Sequence, residues 1–290
     1  MTDVVSDLGE ALPREISRLI DAGWIAAAYV VLARGESPRE VRDAASQVLL
    51  RAGLPNQVTR HDQFLGAICS QLSQIAGFAS GSKRWTDLDD EVLISQGLAS
   101  RLAGDWIVDE IMPLAGLSDR FARPGAAFLD VGTGTGQLAA QIAGRCPGTT
   151  VVGIDVAERP LGIAHALLKR SGQEQAVELR QANVAELDEP GAFDLAWLPI
   201  GFIAADLLPK ALDNVKRALR PGGWVIATVE VAEAGLPLEQ AISRLATAFH
   251  GGTAVTCADG VRTLRQAGFT GVMELPTNIV TGPLVGGRKA

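Results

Sequence analysis

The chain has 290 residues, of which 47% are hydrophobic and 20% are charged, and its formal net charge is −7. These proportions fit an ordinary globular protein of one large or two modest domains and exclude collagenous, disordered and small disulfide-scaffold classes. Nucleic acid is not an expected partner, because the chain is acidic and has no run of Lys and Arg interleaved with aromatic residues.

Cysteine usage and hydropathy indicate a cytoplasmic protein. Cys69, Cys146 and Cys257 have no metal-ligand spacing, so we expect reduced core thiols and no metal site. The acidic N-terminus has no secretory signal pattern. The apolar stretch from Ala22 to Ala33 is too short to span a membrane and is predicted to be a buried helix. The uncharged segment Gln63–Ser82 is too rich in Gln and Ser to be a membrane span.

Helical spacing of apolar residues dominates the first part of the chain, from about Pro13 to Leu117. Ser37 places a capping hydroxyl before Pro38, and Gly53 closes the helix that begins there. Further helices are predicted over Gln63–Ala76 and Asp89–Leu114. We therefore expect residues 1–117 to form an all-helical domain.

From residue 118 to residue 290 we predict an α/β domain with a doubly wound, Rossmann-like and mainly parallel sheet, because short apolar runs alternate with amphipathic segments. The predicted strands are Ala127–Val131, Thr150–Ile154, Val177–Gln181, Leu195–Leu198 and Trp224–Glu230, with a last antiparallel pair at Gly271–Leu275 and Leu284–Gly286. The predicted helices are Gln137–Arg145, Pro160–Arg170, Leu207–Leu219 and Leu236–Phe249.

A glycine-rich loop follows the first predicted strand, with Gly132, Gly134 and Gly136 at every second position. Glycine lets the backbone approach a ligand closely, and the following helix offers unpaired N–H groups. Asp155, after the second strand, can accept hydrogen bonds from ribose hydroxyls, although it could instead cap the next helix. The combination predicts a nucleoside site at the carboxyl ends of the strands.

The dinucleotide fingerprint Gly-x-Gly-x-x-Gly fits this loop poorly. If the fingerprint begins at Gly132, its third glycine position is occupied by Gln137, which does not fit. If it begins at Gly134, that position is occupied by Ala139, and alanine is tolerated there. A nicotinamide-dependent oxidoreductase therefore stays open as an alternative.

The glycines that follow an Asp-containing strand more closely resemble motif I of the class I S-adenosylmethionine-dependent methyltransferases. Other segments similar to that family are Asp155, Ala182-Asn183-Val184, Arg217–Trp224 and Ala267-Gly268-Phe269. The resemblance covers about residues 126–290. It implies transfer of a methyl group from S-adenosylmethionine to the oxygen, nitrogen or carbon of a small apolar or aromatic metabolite, and a helical N-terminal domain suggests secondary metabolism.

The resemblance also implies roles for individual residues. The backbone around the three glycines would approach the methionine part of the cofactor, Asp155 would hold the ribose and Val156 would pack on the adenine. Asn183 would bond the adenine amino group or, alternatively, cap a turn. Asp130 would orient the loop or meet the cofactor's ammonium group. Further expected cofactor contacts are Val184, Leu198 and Gln96.

A general base would help methylation of a hydroxyl or an acidic carbon, and histidine is the first side chain to consider. His250, which precedes two glycines, and His61, which precedes Asp62, are the candidate catalytic residues, whereas mid-helix His165 is expected to be structural. Because acid–base candidates near the fourth strand are sparse, a non-catalytic nucleoside-binding regulatory protein is a further alternative. The helical domain is expected to cover the acceptor pocket and could pair two subunits into a homodimer.

Overall fold

The computed structural model describes residues 3–56, 62–79, 81, 88–229, 237–249, 251–277 and 282–290. Helices occupy the first part, as predicted. Their bounds are α1 (Asp3–Arg34), α2 (Arg39–Arg51), α3 (Asp62–Ala79) and α4 (Asp90–Trp106), followed by a π-helical segment (Ile107–Ile111), α5 (Met112–Leu114) and α6 (Ser118–Phe121).

The second part contains a seven-stranded sheet with helices on both faces. Its strands are β1 (Ala127–Val131), β2 (Thr150–Asp155), β3 (Val177–Gln181), β4 (Phe193–Pro199), β5 (Leu219–Thr228), β6 (Thr270–Leu275) and β7 (Leu284–Arg288). Its helices are α7 (Gln137–Arg145), α8 (Glu158–Ser171), α9 (Leu208–Ala218), α10 (Pro237–Phe249) and α11 (Cys257–Gln266), with 3-10 turns at Val184–Glu186 and Ile200–Phe202.

The strand order is β3-β2-β1-β4-β5-β7-β6, and β7 runs antiparallel to both of its neighbours. The chain moves outward from β1 to β3 and then returns to place β4 on the other side of β1. The crevice above β1 and β4 is therefore the topological switch point, where ligands of doubly wound folds bind.

Strand β1 lies at the centre of the core and is buried along its whole length. Its successive side chains point to opposite faces of the sheet, so Phe128 belongs to one apolar cluster and Leu129 to the other. Both side chains are fully buried. Burial on two faces fixes the position of this strand, and with it the position of the loop that follows.

Helix α4 connects the N-terminal helices with the sheet domain. On one side, a Cβ placed on Gly66 of α3 would lie only 2.7 Å from Leu98 Cβ. On the other side, a Cβ on Gly104 would lie 2.9 Å from Gln141 of α7, and Arg101 Nε donates to Gln141 Oε1 at 2.9 Å. These close contacts pack α4 between α3 and α7.

Several local predictions need correction. The segment from Ala22 to Ala33 is helical but not fully buried, since Trp24 in the same helix is 68% exposed. Pro38, not Ser37, is the N-cap residue of α2, and no side chain caps that helix. Helix α11 was not predicted. Cys69 was expected to be a core thiol, but it is only half-buried.

Candidate cofactor-binding site

The loop after β1 is built on glycines with positive φ angles, which are +69° at Gly132, +55° at Gly134 and +73° at Gly136. Side chains of L residues are strained in this left-handed region. The backbone N–H groups of Gly132 and Thr133 both donate to the carbonyl of Ile154, at 2.8 and 3.0 Å. These bonds join the loop to β2 and direct it across the carboxyl ends of the strands.

The three glycines have different surroundings. A Cβ on Gly136 would lie 3.2 Å from Ala164 Cβ on α8, and a Cβ on Gly132 would lie 3.4 Å from Pro199 Cγ at the end of β4. A Cβ on Gly134 would find no described protein atom nearer than the Gly132 carbonyl oxygen at 4.0 Å. Gly134 therefore presents open backbone that a ligand can approach.

Asp155 braces this loop. Its Oδ2 accepts a hydrogen bond from the Gly134 N–H at 2.9 Å, and its Oδ1 accepts one from the Ala157 N–H at 2.9 Å. Ala157, not Asp155, is the N-cap residue of α8. Each carboxylate oxygen keeps capacity for a second hydrogen bond. Val156, beside it, is 65% exposed and offers an apolar surface for a planar ring.

Asn183 lies on the segment that follows β3, close to Asp155 along the sheet edge. The Ala182 N–H donates to the Asp155 carbonyl at 3.0 Å. Asn183 is the N-cap of the 3-10 turn that begins at Val184, and its Oδ1 accepts from the Ala185 N–H at 2.9 Å. The turn-capping role is thus present, and the oxygen keeps a second lone pair.

Asp130 lies beneath the loop and is only 1% exposed. The pKa of its carboxyl is raised to about 7, mainly by burial and in part by the nearby charge of Asp155, while the hydrogen bond from Thr133 opposes the shift. That bond joins Thr133 Oγ1 to Asp130 Oδ2 at 2.7 Å. A cation bound nearby would favour the ionised carboxylate.

Helix α4 packs against the loop from the side of the N-terminal helices. A Cβ on Gly97 would fall 1.9 Å from Thr135 Oγ1, so helix and loop are in close contact there. Thr135 Oγ1 is buried and has no hydrogen-bond partner among the described residues. The Gln96 Oε1 accepts from Ser70 Oγ at 2.7 Å and Gln74 Nε2 at 3.2 Å, which ties this amide to α3.

The remaining predicted residues differ in their access to a ligand. Val184 and Leu198 are buried in the sheet core, and Leu198 has 0% exposure. Their contacts with a cofactor, like that of Gln96, stay predictions. Phe202 is 52% exposed just beyond β4, so the exit of this strand presents apolar surface. His61 and His250 lie outside the described residues.

Some residues of this site were missed by sequence reasoning. Thr133, Thr135, Pro199 and Gly97 all contact the loop or its supporting residues. The alternation of threonine with glycine from Gly132 to Gly136 was a signal for the first two. Gly97 is adjacent to Gln96, which was predicted to contact the cofactor, but the contact of Gly97 with Thr135 depends on tertiary packing.

Neither a metal cluster nor a membrane span is found in the described part of the chain. No three His, Cys, Asp or Glu side chains gather there as they would around a metal ion. None of the helices in that part combines the length and hydropathy needed to cross a bilayer.

A family described as "Methyltransferase domain" matches residues 128–223, which run from β1 into β5. Among curated proteins, the chain is 33% identical over 159 residues to a ubiquinone biosynthesis O-methyltransferase of Thiobacillus denitrificans, covering 53% of this chain and 60% of that protein. It is 39% identical over 102 residues to a demethylmenaquinone methyltransferase of Thermus thermophilus, covering 34% and 44%. The chain thus spans about half the length of these relatives.

Solved structures show the same fold over nearly the whole chain. An O-methyltransferase family protein from Burkholderia thailandensis aligns with a TM-score of 0.64 at 16% identity, covering 100% of this chain and 99% of that chain. Human N-acetylserotonin methyltransferase in complex with S-adenosylmethionine aligns with a TM-score of 0.62 at 15% identity, with the same coverage.

Residues 128–223 are thus similar to a methyltransferase domain, and the described chain has the fold of the solved O-methyltransferases, a mainly parallel sheet preceded by helices. The sheet also argues against the nicotinamide alternative, because the dinucleotide-binding fold has the order 3-2-1-4-5-6, whereas here β7 is inserted antiparallel between β5 and β6.

Proposed function

We propose that this protein transfers a methyl group from S-adenosylmethionine to a small apolar or aromatic metabolite. The observation that carries the proposal is the open backbone of Gly134, held by Asp155 at the switch point of the sheet. Along the same sheet edge, Val156 adds an exposed apolar surface and Asn183 adds a polar amide. These groups fit the ribose and adenine of the cofactor.

The chemistry needs alignment and exclusion of water more than it needs charged protein groups. When bound, the cofactor supplies an electrophilic methyl group on a sulfonium, and its positive charge is dispersed in the transition state. Asp155 and the glycine loop would orient the nucleoside, and Phe202 and Pro199 would contribute apolar surface near the end of β4. His250 or His61 would take the proton from a hydroxyl acceptor.

The acceptor class is supported by the apolar exit of β4 and by the names of the relatives, which refer to ubiquinone and demethylmenaquinone. We extend this to a role in secondary metabolism, in the cytoplasm and without nucleic acid or membrane as partner. Exposed apolar side chains on the N-terminal helices, such as Trp24 and Ile75, favour a homodimer. Light scattering on the purified protein tests the homodimer.

Two measurements test the function. Titration calorimetry with S-adenosylhomocysteine and with NADH should give binding of the first alone. Incubation with methyl-labelled S-adenosylmethionine and a panel of phenols, amines and prenylated quinols should give a labelled product. Binding without any labelled product across the panel would favour the non-catalytic regulatory alternative, and binding of NADH alone would reject the proposal.

A further inference from the structure

Asn214 of α9 is a buried polar residue behind the turn that carries Asn183. It is 4% exposed, and its Nδ2 donates to the Val184 carbonyl oxygen at 3.1 Å. The same carbonyl accepts from the Leu187 N–H at 3.2 Å. Both lone pairs of the Val184 carbonyl are therefore used, one by the turn itself and one by Asn214.

The orientation of the Asn214 amide follows from its second partner. Arg217 Nη2 donates to Asn214 Oδ1 at 2.6 Å. A guanidinium can only donate hydrogen bonds, so the oxygen must face Arg217 and the NH₂ group must face Val184. Arg217 also forms an ion pair, at 3.4 Å, with Asp188, a residue just beyond the turn. The amide of Asn214 is thus held in one orientation from both sides.

Val184, Ala185 and Leu187 pack in the core, and the other hydrogen bonds given for the turn lie at its start. Ala182 bonds the Asp155 carbonyl, and Asn183 caps the turn through the Ala185 N–H. Asn214 holds the turn from α9, through its hydrogen bond to the Val184 carbonyl. Resting on the proposed function, we propose that Asn214 is a positioning residue that sets the position of Asn183 and thereby the selectivity of the site for adenine.

The test compares two ligands in two proteins. S-adenosylhomocysteine carries the adenine amino group, and S-inosylhomocysteine carries a carbonyl oxygen in its place. One hydrogen bond to the amino group should make the wild type prefer the adenosyl ligand about tenfold. Asn214→Asp keeps the size of the side chain and its bond with Arg217 but cannot donate to Val184. Its preference should fall to about twofold or less.

The control is Asp119→Asn, which makes the converse exchange at an exposed position of α6 and leaves the partners of Arg217 unchanged. It should keep the wild-type preference. If Asn214→Asp does not fold, as judged by circular dichroism, Asn214→Ala is measured by the same criterion. Equal loss of affinity for both ligands, with an unchanged ratio, would mean a structural role only and would overturn the inference. A wild type that binds S-adenosylhomocysteine without preference would overturn it as well, whereas a wild type that binds neither ligand would reject the proposed function itself.

Discussion

The backbone N–H of Gly134 donates to Asp155 Oδ2 at 2.9 Å, so the loop after β1 and the end of β2 are joined by a carboxylate. This bond fixes the rotamer of Asp155 before any ligand arrives. A side chain that is already ordered costs less conformational entropy on binding. The site is therefore preorganised at the position expected to hold the ribose.

Asp155→Ala should weaken S-adenosylhomocysteine binding by roughly 1.5–3 kcal/mol, the range for hydrogen bonds to a charged partner. The substitution would remove the expected hydrogen bonds to the ribose and the hydrogen bond that Asp155 accepts from the Gly134 N–H. Titration calorimetry measures the affinity, and thermal unfolding measures how far the loss of the bond to Gly134 destabilises the protein. Asp119→Ala, at an exposed position of α6, is the control and should leave affinity unchanged. Equal affinities for wild type and Asp155→Ala would remove Asp155 from the site.

Asp130→Asn should stabilise the cofactor-free protein at pH 8. Folding raises the pKa of this carboxyl from 3.8 to about 7, so the native state binds the proton more tightly than the unfolded state does. The stability from this group is complete below the unfolded pKa and is lost as pH rises through the folded pKa. The variant should therefore exceed the wild type by about 2–4 kcal/mol at pH 8 and by less at pH 5. Urea unfolding at both pH values measures this, and a gain independent of pH would contradict it.

The same variant distinguishes the two roles expected for Asp130. If the carboxylate meets the ammonium group of the cofactor, affinity for S-adenosylhomocysteine rises between pH 6 and pH 8 in the wild type and stays flat in Asp130→Asn. Parallel curves for the two proteins would assign Asp130 to orientation of the loop through Thr133.

Gly97→Ala should disturb the contact between α4 and the loop, because the added Cβ would fall 1.9 Å from Thr135 Oγ1. Overpacking of this kind costs roughly 1–3 kcal/mol. We expect a lower melting temperature and weaker cofactor binding. Gly162→Ala in α8 is the matched control, since its Cβ would meet nothing within 4 Å. It should stabilise by about 0.5–1 kcal/mol, the helix preference for Ala over Gly. Similar behaviour of the two variants would refute the steric argument.

His250→Ala and His61→Ala test the general base once an acceptor is known. Removal of a base should lower kcat by about 10²–10⁴-fold and leave the affinity for S-adenosylhomocysteine unchanged. The loss should be smaller at high pH, where a hydroxyl acceptor ionises more readily. Turnover close to that of the wild type in both variants would mean that neither histidine is the base.

The strands were the most predictable part of the fold. Strands β1 and β3 have their predicted bounds, whereas β5 begins at Leu219 rather than at the predicted Trp224. Helix α11 was missed although Thr256 accepts a bond from the Asp259 N–H at 3.1 Å, which is similar to a capping box and could have been seen in the sequence.

The candidate site was predictable only where its residues follow strands. Gly134 lies in the loop that follows β1 and Asp155 ends β2, and the fold brings the carboxyl ends of these strands together. The role of Asn214 could not be predicted, because it depends on how α9 packs on a turn 30 residues away in sequence. The same holds for Gly97, whose partner Thr135 lies on another element.

Helix α4 contacts α3 through Gly66 and the glycine loop through Gly97, with no room for a side chain at either place. A helix confined on two sides cannot shift against one neighbour without shifting against the other. If the proposed acceptor binds against α3 and moves it, the affinity for the proposed methyl donor should change, and by thermodynamic reciprocity the donor should change the affinity for the acceptor by the same factor.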